Sequence, residues 1–206
     1  EGGVIYVAHS ESERVAFTKN FIDAGFKYSQ NLIWVKHSGV MCRQDFNYKH
    51  EPILYGWKEG AGHYFCGDFT RTTVIDDSTN DDIDYKKLNK EQLIKVIREF
   101  RNQAQRPESV IEYDRPMISD LHPTMKPVGL VELMIGWSSK ENEVVLDLFG
   151  GSGSTLIAAH KLKRRARIME LDEKFCDVIL TRFFDYTGIE PIREADGKKW
   201  RDIEVY

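Results

Sequence analysis

The chain has 206 residues, a formal net charge of −4, 41% hydrophobic and 30% charged residues, which is the composition of one globular domain with a sizeable core. No apolar run approaches the roughly 20 residues needed to cross a bilayer, and nothing resembles a signal peptide. Three scattered cysteines, Cys42, Cys66 and Cys176, fit neither a disulfide framework nor a metal spacing, so a cytoplasmic, reducing setting is expected.

In chain order, Val4 to Ala8 reads as a buried strand preceded by a Gly-Gly turn. A core strand so close to Glu1 leads to the expectation that the natural chain extends upstream. Ser12 suits the cap of a helix to about Ala24, with Val15, Phe17, Phe21 and Ile22 on its apolar side and Gly25 as its stop. Leu32 to Val35 reads as a strand, and Ile53 to Trp57 as another with Pro52 at its start, where a missing donor costs least.

From about Gly60 to Asp120 the composition shifts to Gly, Thr and Asp, and then to a helix from Asn89 to about Gln105. Pro107 and Pro116 bracket the exit, and the whole interval reads as an insertion into a larger α/β pattern. Asp76, Asp77, Asp81, Asp82 and Asp84 form an acidic stretch with no Lys or Arg, expected to be a solvated loop. Setting those five aside changes the net charge from −4 to +1, which leaves room for a local basic face.

The last third alternates regularly. Pro127 suits the first turn of a helix to about Ser138, Val144 to Phe149 a buried strand, and Thr155 to Leu162 a helix. Ala166 to Glu170 reads as a second strand, and Asp172 as the cap of a helix ended by Gly188. Strand and helix in alternation predict a parallel sheet with helices on its faces.

The loop Asp147-Leu-Phe-Gly-Gly-Ser-Gly153 lies between strand and helix. Glycines there permit a tight turn and close ligand approach, and open donors at a helix start favour an electron-rich group. Glu170 ends the next strand, where an acid can bind both hydroxyls of a ribose. This spacing points to an adenosine-containing cofactor. The loop lacks the Lys of a phosphate-cradling P-loop, which disfavours ATP and GTP, whereas NAD remains open on the loop alone.

Four segments together resemble one family, the amino-methyltransferases acting on exocyclic nitrogens of DNA bases. Asp147 to Thr155 (DLFGGSGST) resembles the cofactor loop, and His122 to Pro127 (HPTMKP) the segment before it. Gly2 to Val7 resembles the strand after the catalytic region; Asn31 to Lys36, with His50 to Trp57, resembles the later strands. The cofactor loop comes after the insertion, an order that resembles the circularly permuted, beta-type group.

The resemblance implies a Rossmann-like S-adenosylmethionine-dependent methyltransferase sheet, helices on both faces, incomplete here and carrying a target-recognition insertion. The implied division is 1–59 for the later strands of the catalytic half, 60–120 for target recognition and 121–206 for the cofactor half. S-adenosylmethionine would be held by Thr124, Lys126, Asp147, Phe149, Gly150, Gly151, Ser152, Gly153 and Glu170. Within that set Phe149, Gly151 and Gly153 surround the methionine portion, Thr124 and Lys126 its carboxylate, and Glu170 the ribose. His122 is implied to be a structural hydrogen-bonding residue.

DNA is the implied partner, its target base flipped out of the stack. Arg43 and Gln44, near the presumed base pocket with Asn47, and Lys95, Arg98 and Arg101 are the candidate contacts. The family's catalytic Asp-Pro-Pro-Tyr tetrapeptide is absent: the prolines, at 52, 107, 116, 123, 127 and 191, are all isolated. In the permuted order it belongs upstream of Glu1, on a strand beside that of Val144. The expectation is a portion of a longer enzyme, or a gap filled by a second chain. Resemblance favours adenine N6 over cytosine N4. The alternatives are an RNA or small-molecule methyltransferase, a non-catalytic DNA- or cofactor-binding remnant, and a nicotinamide-dependent oxidoreductase, in which the HPTMKP segment has no role.

Overall fold

The computed structural model describes residues 2–40, 47–66, 74–76 and 125–203. The expected helix from Asn89 to Gln105, the acidic residues from Asp77 onward, and His122 lie outside the described residues. The chain forms two compact units, Glu1–Arg115 and Pro116–Tyr206.

In the first unit, strands β1 (Val4–Ala8), β2 (Phe26–Val40), β3 (Tyr48–Lys58) and β4 (Val74–Asp76) form one sheet in the order β1-β3-β2-β4. β3 is antiparallel to both neighbours, and β4 is parallel to β2. β4 falls within the interval 60–120 and carries Asp76, which pairs with Val35 and so belongs to a strand, not to a solvated loop.

Three expectations are corrected in this unit. β1 is an outer strand of the described sheet, and its side chains are half-buried from Val4 to Val7 and exposed at Ala8, rather than buried. β3 begins at Tyr48, so Pro52 lies inside a central strand, where it pairs with Ile33 and is fully buried. Its carbonyl accepts from His9 N–H at 3.1 Å, and its nitrogen faces that same edge, just past the end of β1. The missing donor therefore leaves out only the return bond to His9, beyond the last residue of β1. Helix α1 (Arg14–Asp23) starts after a 3-10 turn, Glu11–Glu13, in which Ser12 Oγ meets Ser10 Oγ at 2.8 Å instead of capping.

Of the apolar set on α1, Phe21 alone is buried; Val15, Phe17 and Ile22 are exposed. Phe21 packs on Phe26 and Tyr28 over Gly56. A β-carbon on Gly56 would lie 1.9 Å from the Lys27 carbonyl oxygen and 3.0 Å from Phe21 Cε1, so glycine lets helix and strand close together. Gly25, at φ +78°, stops α1 as expected, its N–H bonded to Ile22 O at 2.8 Å.

In the second unit, β5 (Val144–Asp147) and β6 (Arg165–Ile168) pair in parallel. Helices α2 (Val128–Ser138), α3 (Ser154–Lys161) and α4 (Glu173–Thr187) complete it. Val131 and Ile135 of α2 meet Ala158 and Ala159 of α3, with Val145 and Ala166 of the strands packed beneath. Each large aliphatic side chain so buried contributes about 1.5–3 kcal/mol.

Arg164 locks the end of α2 to this layer: its Nε and Nη2 donate to Ser139 Oγ at 3.1 Å and Ser139 O at 2.6 Å. β5 is not the fully buried strand expected. Its residues alternate, with Val144 and Leu146 exposed on the face away from α2 and α3, alongside Arg165 and Arg167. Among the described residues no helix is long and apolar enough to cross a membrane.

Candidate cofactor-binding site

The second unit closes the segment from Asp147 to Gly153 into a compact loop between β5 and α3. Asp147 ends β5 and organises the turn after it: Oδ1 accepts from Phe149 N–H at 3.0 Å, and Oδ2 accepts from Thr155 Oγ at 2.6 Å. The carboxylate thus ties the strand end to the first turn of α3. The backbone continues the same work. Met169 N–H donates to Asp147 O, and Gly150 N–H returns a bond to Met169 O, both at 2.8 Å. Gly153 N–H reaches back to Gly150 O at 2.8 Å.

Two of the three glycines are required by shape. Gly150 lies so close to β6 and α4 that a β-carbon would sit 2.5 Å from Ile168 Cγ2 and 2.9 Å from Ile179 Cδ1. Gly153 precedes α3 at φ +80° and also abuts Ile179. Gly151 adopts φ +53°. Left-handed turns of this kind cost a residue with a β-carbon about 1–2 kcal/mol.

Glu170 faces this loop from the end of β6. Its Oε2 accepts from Gly151 N–H at 2.7 Å, and its Oε1 accepts from Leu171 N–H at 2.8 Å and Asp172 N–H at 3.1 Å. The two acids named from sequence, Asp147 and Glu170, therefore meet one short loop from either side. The expectation of open donors at the helix start needs amending: the N–H groups of Phe149, Gly150, Gly151 and Gly153 all have acceptors within the chain. Apolar side chains rim the loop. Phe149 is 87% exposed and Leu171 99%, with Leu148 and Met169 also exposed.

α4 starts where the sequence placed it. Asp172 caps it by accepting from Lys174 N–H at 2.9 Å, and Gly188 ends it at φ +70°. The acids at this helix start reach the thiol of Cys176. Burial first, then Glu170, Asp177, Asp172 and Glu173, push it above the ordinary cysteine range.

Of the expected cofactor set, Asp147, Phe149, Gly150, Gly151, Ser152, Gly153 and Glu170 are brought together. Lys126 joins through its backbone: its carbonyl accepts from Ser154 Oγ at 2.7 Å. Thr124 lies outside the described residues, as do Arg43, Gln44, Lys95, Arg98 and Arg101. Sequence reasoning missed Ser154, Leu171 and Arg182. Arg182 Nη1 donates to Ser152 O at 2.9 Å and Ser152 Oγ at 3.0 Å. The available signal was helical spacing, since Arg182 lies one turn after Ile179, which packs on the same loop.

Comparison with known proteins bears on this geometry. The model of the N6/N4 DNA methylase family matches residues 1–181. The chain belongs to this family. The type II methyltransferase M2.DpnII of Streptococcus pneumoniae is 28% identical over 163 residues, 77% of this chain and 52% of that protein. The DNA adenine methyltransferase YhdJ of Escherichia coli (strain K12) is 28% identical over 187 residues, 87% of this chain and 60% of that protein. The chain thus spans about half to three-fifths of the length of these relatives. The crystal structure of the M1.HpyAVI–SAM complex aligns with a TM-score of 0.60 at 20% identity, covering 88% of this chain and 74% of that one. The fold of this methylase-family chain is thereby that of the α/β methyltransferases, the Rossmann-like class expected from the sequence.

Proposed function

We propose that this chain is the cofactor-binding and target-recognition part of a site-specific DNA methyltransferase. It would transfer a methyl group from S-adenosylmethionine to an exocyclic base nitrogen, adenine N6 in preference to cytosine N4. The observation that carries the reading is the glycine loop held between two carboxylates. Glycine at 150 and 153 lets the loop close on Ile168 and Ile179, and Asp147 and Glu170 concentrate negative charge at the loop. A sulfonium cation suits that field.

S-adenosylmethionine supplies an electrophilic methyl group carried on sulfur. The chain's own residues bind and orient. Phe149, Gly151 and Gly153 line the methionine portion, with Gly150 and Ser152 completing the loop that Asp147 organises. Thr124 and Lys126 hold the carboxylate, Lys126 with its charge, and Glu170 takes the ribose. Transfer is a direct displacement in which positioning lowers the barrier, so a fixed loop matters more than any proton shuttle here.

DNA is the substrate in this reading, in the cytoplasm, and Arg43, Gln44, Lys95, Arg98 and Arg101 are its proposed contacts. The cofactor loop comes after the recognition region, as in the permuted order. The Asp-Pro-Pro-Tyr tetrapeptide is supplied from outside these 206 residues, by a further segment or a second chain. The name of the relative YhdJ, a DNA adenine methyltransferase, supports the choice of base.

A second reading is a binding module that holds cofactor or DNA without turnover. Nucleoside mass spectrometry of DNA from a methylation-free host expressing the whole gene separates the two. N6-methyladenine at a single sequence supports the first reading. N4-methylcytosine would change the base, and unmethylated DNA beside retained cofactor binding would leave the binding module.

A further inference from the structure

We infer that Arg182 is a positioning residue for the cofactor loop, joining α4, the loop, the start of α3 and the Lys126 segment in one hydrogen-bonded network. A single nitrogen, Nη1, shares its two hydrogens among Ser152 O at 2.9 Å, Ser152 Oγ at 3.0 Å and Ser154 Oγ at 3.3 Å. Ser154 Oγ in turn donates to Lys126 O at 2.7 Å. Both serines are buried, at 4% and 5% exposure, so their polar atoms depend on partners within the protein. Arg182 lies just past residue 181, where the family match ends.

The arrangement is costly in other respects. The guanidinium stands at the start of α3, where the helix dipole disfavours a cation. It is half-buried, and burial pushes its proton affinity below the ordinary arginine range. Among the described residues no carboxylate lies within ion-pair distance of it. Its place there is explained by what it holds. Its shared hydrogen bonds fix Ser152 and the first residue of α3. Through Ser154 they fix the backbone of Lys126 against the loop from the other side. Gly151 and Gly153, at positive φ on either side of Ser152, have no side chains of their own to anchor them.

The role rests on the proposed cofactor reading only for its ligand readout. Two variants, Arg182→Met and Arg182→Lys, and two measurements test it. In Arg182→Met, which keeps length but donates nothing, amide hydrogen exchange should accelerate at Gly150 to Ser154 while the middle of α4 stays protected. The dissociation constant for S-adenosylmethionine, by calorimetry, should rise about ten- to a hundredfold, the effect of losing charge-assisted bonds to buried groups. Arg182→Lys, which keeps the charge and one donor nitrogen, should recover part of both. Exchange that is unchanged, or that accelerates uniformly over the unit, would overturn the positioning role, as would equal affinity in the wild type and Arg182→Met. A wild-type chain that does not bind S-adenosylmethionine would overturn the cofactor reading instead, and loop exchange would still decide the role of Arg182.

Discussion

Gly150→Ala isolates the close approach on which the loop depends. The new β-carbon would stand 2.5 Å from Ile168 Cγ2, 2.9 Å from Ile179 Cδ1 and 3.2 Å from Met169 O. The carbonyl cannot retreat easily, because it accepts the Gly150 N–H at 2.8 Å. Ile179 is 7% exposed and already packs on Gly153, so its movement disturbs a second contact. Overpacking of this kind costs about 1–3 kcal/mol. For a unit the size of Pro116–Tyr206, that corresponds to a fall of about 4–24 °C in melting temperature. Gly151→Ala makes the comparison: its penalty comes from φ +53° and is about 1–2 kcal/mol. Differential scanning calorimetry reads both. A Gly150→Ala protein that melts within about 1 °C of wild type would refute the packing of Ile168 and Ile179 on the loop.

The same kinds of contact set expectations elsewhere in the chain. Gly56→Ala places its β-carbon 1.9 Å from the Lys27 carbonyl, a backbone clash between β2 and β3; urea denaturation should show a loss above about 3 kcal/mol. Asp172→Ala removes the cap of α4 and should cost about 0.5–2 kcal/mol by the same assay, with Asp172→Asn close to wild type. The raised Cys176 thiol stays protonated to higher pH than an ordinary cysteine, so peptide-resolved alkylation at pH 8 should be slower at Cys176 than at the exposed Cys66. Because Glu170 is the largest of the electrostatic contributions, Glu170→Gln should speed the Cys176 reaction.

Local chemistry made much of the second unit legible. Pro127, Asp172 and Gly188 mark helix ends by backbone rules that hold without tertiary context, and the structure places α2 and α4 accordingly. The loop and its two acids were readable from spacing. Contacts that depend on partners were not. β2 runs from Phe26 to Val40, because β3 pairs along it past Lys27, Tyr28, Gln30 and Asn31, residues with no strand-like alternation. Pro52 could be placed inside β3 only once the end of β1 was known. The exposed Val15, Phe17 and Ile22 mimic a core face that helical spacing alone cannot distinguish from a real one. Arg182 reads as a surface charge until Ile179 orients α4 on the loop.

Calorimetric titration with S-adenosylmethionine and NAD, on the wild-type chain and Glu170→Ala, tests the cofactor assignment most directly. Saturable binding of S-adenosylmethionine at one site, and no heat with NAD, is the predicted result. Glu170→Ala should lose at least about tenfold in affinity, the effect of removing a carboxylate that bonds its ligand. Binding of NAD without S-adenosylmethionine, or S-adenosylmethionine affinity indifferent to Glu170, would contradict the assignment.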